Sequence, residues 1–101
     1  MMVPFRAKAV QIMAVQLTRE LLEAALFTPA PLPPGCSFRG TVNAGERDYS
    51  GNVWCNSRQG AVRAEVGDWI IAEPGEAGMS YPCAPDVFAA KYEAVDESPG
   101  G

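Results

Sequence analysis

The chain contains no histidine. That removes every Ser-His and Cys-His pair and the usual general base near neutral pH, leaving an enzyme only carboxylate, cysteine or lysine chemistry. Its three cysteines, Cys36, Cys55 and Cys83, include no Cys-x-x-Cys. An odd count at wide spacing is a poor disulfide framework, and without histidine it is a poor zinc site. The three are read as free thiols, mostly buried as small apolar residues. No apolar run approaches the ~20 residues of a membrane-spanning helix. Met1 to Phe5 lacks the basic stretch and long apolar run of a secretory signal, so the expected location is the cytoplasm. There is no phosphate-cradling glycine motif, no internal repeat and no calcium-loop spacing among Asp86, Glu93, Asp96 and Glu97. No metal or cofactor is expected.

Bases are scarce in the second half. Through Arg63 there are seven Lys and Arg against four Asp and Glu; from Ala64 onward Lys91 is the only base against eight acids, for a net charge of −4. Phosphate contacts need Lys and Arg, so the acidic half disfavours nucleic acid as a partner. Such a half can face a basic protein surface and speed encounter with it, or simply form a solvated face. Glu73, Glu76, Glu93 and Asp96 are the candidate protein contacts.

What is present describes one domain of 101 residues, 48% apolar and 20% charged, which is enough for one modest core. Residues 1–5 and 96–101 are expected to fray. Ala9 to Leu17 alternates at period two and reads as a strand, with Val10, Ile12 and Ala14 on one face. Thr18 is an N-cap for Arg19 to Phe27, a short helix whose stripe is Leu21, Leu22, Ala25 and Leu26. Residues 28–35 are a Pro-rich connector, a more economical reading than a polyproline ligand. Phe38 to Val42 reads as a short strand and Asn43 to Asn52 as an exposed loop or wide hairpin end. Val53 to Asn56 and Ala61 to Val66 form a hairpin, with Gly60 taking positive φ. Asp68 caps a turn before the strand Trp69 to Ala72. Met79 to Tyr81 returns as an edge strand, since Pro82 cannot donate to a central ladder. Pro85 and Asp86 start a second helix that Val87 and Phe88 pin to the core, and Tyr92 to Val95 closes as a strand. The fold class is α+β: a bent, mostly antiparallel sheet of five or six short strands on one amphipathic helix, with a short second helix.

Gly67-Asp68-Trp69-Ile70-Ile71, Tyr81-Pro82-Cys83, Pro85-Asp86-x-Phe88 and Tyr92-Glu93 together form a pattern. It resembles the C-terminal signature of a family of small proteins from tailed phages and prophages. The opening, Phe5 to Val10 and on through Gln16, is similar to theirs as well. Ala84 stands where a lysine is common in that family, so no basic contact is carried over there. Glu76 to Ser80 lengthens the preceding loop. The resemblance implies a phage or prophage origin, hence the cytoplasm of a bacterial host, and no established activity.

Two classes of function follow. The preferred one is a non-enzymatic accessory protein that binds a host or phage protein, such as a host-takeover or anti-defence inhibitor. The alternative is a binder of a nucleotide or other small anionic metabolite, with Trp54 and Tyr81 stacking on a base and Arg58 and Arg63 holding phosphate. A virion structural component is a further reading. An enzyme is disfavoured, because Asp68, Glu65, Glu73 and Asp86 show no spacing that sets two carboxylates across a scissile bond.

Overall fold

The computed structural model describes residues 2–7 and 10–94. Its element order is β1 (Val3–Ala7), β2 (Val10–Gln16), α1 (Arg19–Phe27), β3 (Cys36–Asn43), β4 (Asp48–Ser57), β5 (Gly60–Ala64), β6 (Trp69–Ala72), β7 (Ser80–Cys83), α2 (Pro85–Lys91) and β8 (Glu93–Ala94). The class is α+β, and every pairing between described strands is antiparallel. The strands divide between two sheets rather than forming a single bent one. One has five strands in the order β7-β6-β2-β1-β8, and the other has three in the order β3-β4-β5.

The five-stranded sheet is the middle layer. Successive side chains of a strand point to opposite faces, and β6 uses both. Ile70 packs with Leu17, Leu22, Val53, Cys55 and Ala64, so one face is covered by α1 and the three-stranded sheet. Ile71 packs with Ile12, Ala14 and Phe88, so the other face is covered by α2. Phe88 stacks on Trp69 with ring centroids 4.2 Å apart and planes 4° apart. Phe5 meets both rings edge-on, at 5.0 Å and 4.9 Å.

The helices are bounded as their sequences require. Thr18 Oγ1 accepts from the backbone N–H of Leu21 at 3.1 Å, capping α1. Thr28 closes that helix through its N–H to the Ala24 carbonyl, and Pro29 follows. Pro85 opens α2, Asp86 lies in its first turn and Lys91 in its last, all favourable to the helix dipole. Val87 does not pin this helix as expected and is 46% exposed. Consecutive helical residues are about 100° apart around the axis, so the face that buries Phe88 turns Val87 outward.

Two further expectations are revised by the structure. Val3 to Phe5, expected to fray, belong to β1, which pairs with both β2 and β8. Residues 96–101 lie outside the described residues. Of the two readings of Asn43 to Asn52, the exposed loop gives way to the hairpin end, and a narrower one than expected: β3 and β4 pair from Cys36↔Cys55 to Asn43↔Asp48, leaving a tight connection at residues 44–47. The hairpin's outer half is mostly polar and exposed, with Tyr49 the inward contact, against Phe27 and Phe38, so the alternating apolar pattern of a strand is faint there. Its pairing passes through Gly40↔Gly51. A Cβ on Gly40 would run into the Ser50 carbonyl oxygen, and one on Gly51 into that of Arg39; their φ angles are +157° and +152°.

Two outcomes follow from this packing. Phe88→Ala should destabilise the fold by about 3–5 kcal/mol through loss of the stacked aromatic and the cavity left behind. It should be read as a lower urea midpoint at unchanged slope. Gly51→Ala should cost on the order of 1–3 kcal/mol through backbone strain, and amide exchange should rise across β3 and β4 before the rest of the chain.

Candidate interaction site

The three-stranded sheet uses one face for the core. β4 turns Val53, Cys55 and Ser57 inward, and all three are buried. Trp54 therefore points to the opposite face, with Ser37 of β3 and Arg63 of β5 beside it in one cross-strand row. Arg39 lies two residues along β3 on the same face. Its guanidinium carbon sits 4.8 Å from the centre of the Trp54 ring, a cation–π contact of about 0.5–1 kcal/mol at an exposed site. Arg63 also lies 3.5 Å from Glu65, with both side chains exposed, so that pair is worth little. The result is a half-buried tryptophan with an arginine on either side, on an open sheet face.

Of the four residues considered for an anionic ligand, only Trp54 and Arg63 come together. Arg58, in the β4–β5 turn, reaches across to the β6–β7 loop. Its Nε lies 3.1 Å from Glu73, its Nη2 4.0 Å from Glu76, and Nη2 donates to the Pro74 carbonyl at 3.1 Å. Tyr81 sits in the other sheet, within the core under α2. Burial raises its phenol pKa above the ordinary value, and its hydrogen bond with Tyr92 adds to this. Arg39 was missed by sequence reading, and only the hairpin register reveals it.

The acidic candidates are also dispersed. Glu73 and Glu76 gather around Arg58, and Glu73 is 16% exposed at its side chain. Glu93 lies in β8, at the opposite edge of the five-stranded sheet from β7. Four interstrand spacings put those edges about 19 Å apart. Asp96 lies outside the described residues. Asp68 does cap its turn: Oδ2 accepts from the Glu65 N–H at 2.9 Å.

Two other features belong to the junction between layers. A cavity of about 640 Å³ opens between Met13 and Val15 of β2, Leu21 and Ala24 of α1 and the connector residues Pro31 and Leu32. Its walls are almost wholly apolar, so it can hold an apolar group but offers no chemistry. The connector packs down, with Pro33 buried, instead of standing out as a polyproline ligand. The second feature is a pair of thiols. Cys36 and Cys55 face each other across the β3–β4 ladder with their Sγ atoms 3.7 Å apart, and Cys36 Sγ is also 3.7 Å from Ser80 Oγ. All three cysteines are free. Among the described residues, no helix is long and apolar enough to cross a membrane.

Comparison with protein-family models, with curated proteins and with solved structures finds no match to this chain.

Arg58 is here a clasp between layers rather than a ligand group. Arg58→Ala should cost no more than about 1 kcal/mol, since the pairs are partly solvated. Hydrogen exchange should nonetheless quicken at the Glu76 and Met79 amides, whose turns the clasp holds.

Proposed function

We propose that this chain is a non-enzymatic accessory protein, of the kind its resemblance to small tailed-phage and prophage proteins implies, that acts by binding another protein of the host or phage. We place the contact surface on the outer face of the three-stranded sheet, centred on Trp54 between Arg39 and Arg63. The observation that carries this reading is the Arg39–Trp54 contact with Arg63 in register beside it. Tryptophan and arginine are the residues most enriched at the energetic centres of interfaces. Two guanidinium groups on a flat face suit an acidic patch on the partner, through charge-assisted hydrogen bonds. The acidic residues of the second half support a contact surface less well, because they are divided between Arg58 and the far edge of the sheet.

The same three side chains favour a second reading, in which Trp54 stacks on a nucleobase and the arginines meet its phosphates. One set of variants separates the two. Tagged wild-type chain is expected to retain a stoichiometric protein from bacterial host lysate, with retention falling as salt rises. Trp54→Ala and the pair Arg39→Glu with Arg63→Glu should each reduce retention at least about tenfold, a loss of roughly 1.4 kcal/mol or more. Glu93→Lys should leave it unchanged. Retention lost on Glu93→Lys but kept in the arginine variants would return the surface to the acidic half. Thermal stabilisation by a nucleotide, abolished by Trp54→Ala and without a retained protein, would establish the second reading.

A further inference from the structure

We propose that Cys36 and Cys55 form a two-electron redox site, at which a hydroperoxide converts the facing thiols into an intrachain disulfide. This inference is independent of the binding surface.

The geometry starts with the ladder. The Asn56 N–H donates to the Gly35 carbonyl at 2.8 Å, which makes the adjoining Cys36↔Cys55 pair a non-hydrogen-bonded one. The Cα atoms of such pairs lie about 4.5 Å apart, at the short end of the range a disulfide spans. Both side chains point to the same face of the sheet, and their sulfurs are already in contact at 3.7 Å. Reaching a bond length of about 2.05 Å requires rotation about the cysteine side-chain torsions, not rearrangement of the strands.

The two thiols are not equivalent. Cys36 is half-buried, whereas Cys55 has no exposed surface, so an oxidant from solution meets Cys36 first. The Cys36 sulfur is in hydrogen-bonding contact with both the Cys55 thiol and the Ser80 hydroxyl, each at 3.7 Å. These hydrogen bonds hold the Cys36 pKa below its ordinary value against the opposing effect of burial. The same pairing, together with burial, pushes the Cys55 thiol up and keeps it protonated. The difference in exposure makes Cys36 the attacking thiol and Cys55 the resolving one.

The chemistry balances with the hydroperoxide as sole oxidant. The Cys36 thiolate attacks the peroxide; an S–O bond forms, the O–O bond breaks, and the departing alkoxide takes up a proton, leaving Cys36 as a sulfenic acid. Cys55 sulfur then attacks that sulfur. The S–S bond forms, the S–O bond breaks, and hydroxide leaves as water with the proton that Cys55 releases. Two thiols and one hydroperoxide become one disulfide, one alcohol and one water; with hydrogen peroxide the products besides the disulfide are two waters. Cys83 is a built-in control. It packs on the other face of the five-stranded sheet, in the core under α2, and burial raises its thiol pKa.

The test treats the full-length reduced chain with hydrogen peroxide, quenches with acid, alkylates under denaturing conditions and maps the peptides by mass spectrometry. The expected result is an intrachain Cys36–Cys55 cross-link, formed at least about tenfold faster than Cys83 loses its alkylation and reversed by dithiothreitol. In Cys55→Ser, Cys36 should stop at the sulfenic acid, trapped by dimedone. The proposal is overturned if Cys36 and Cys55 stay as alkylatable as Cys83. It is equally overturned if the cross-link joins two chains or engages Cys83. The wild-type map decides the matter even if the variant folds poorly.

Discussion

The fold depends on one short strand being buried on both faces. Ile70 and Ile71 are adjacent in β6 and both fully buried. Because adjacent strand residues point in opposite directions, that is possible only if the sheet is covered on each side. Each isoleucine removed from water contributes about 1.5–3 kcal/mol before entropy is counted. Neither contribution exists unless its covering layer is in place. Trp69 anchors α2 on one side through its stack with Phe88, while Ile70 joins Leu17 and Leu22 on the other. The α2 layer is only seven residues long, too short to persist without tertiary packing. The aromatic cluster is therefore what gives it a structure at all.

Covering the second face of β6 takes both α1 and the three-stranded sheet, and this sets what the latter has left to offer. Its inner face supplies Val53, Cys55 and Ala64 to the core. Its outer face is free to be polar, and the strand period delivers Trp54, Arg39 and Arg63 there together. In the far half of the β3–β4 hairpin every residue of β3 from Arg39 to Asn43 is exposed, and Tyr49 of β4 is the contact back to the core. The same sheet thus joins a rigid, buried base to a solvated surface, the arrangement that positions binding groups on a fixed scaffold.

Much of this architecture is legible locally. Thr18 and the Leu21–Leu22–Ala25–Leu26 stripe define α1, whose observed bounds Arg19–Phe27 are those the pattern implies. Pro85 with Asp86 announces α2, Pro82 assigns β7 to an edge, and Asp68 shows itself as a turn cap by following a glycine and preceding an apolar run. What could not be read is whatever depends on pairing between distant segments. Cys36 and Cys55 look unrelated at their separation in the chain, and Arg39 has no visible tie to Trp54. Both relations follow from a single register, which the Gly40↔Gly51 contact and the tight turn at residues 44–47 set jointly. The polar composition of Asn43 to Asn52 left a loop and a hairpin end equally open, because strand patterning fades where Tyr49 alone turns toward the core.

Charge illustrates the same limit. Along the sequence the acids and bases separate into halves, which suggests one acidic surface. In space, Arg58 crosses from the three-stranded sheet to the β6–β7 loop and gathers Glu73, Glu76 and the Pro74 carbonyl. One base from the first half thereby attenuates two acids of the second. Glu93 is held at the opposite edge. Electrostatic steering depends on the field outside the molecule rather than on sequence order. Glu93 in β8 lies at least three interstrand spacings, about 14 Å, from the β6–β7 loop, more than a Debye length at physiological salt, so it and the Arg58 cluster act as separate charges. Arg39 and Arg63 flank one tryptophan within a single sheet face, and the potential they add there falls on a surface already shaped for contact.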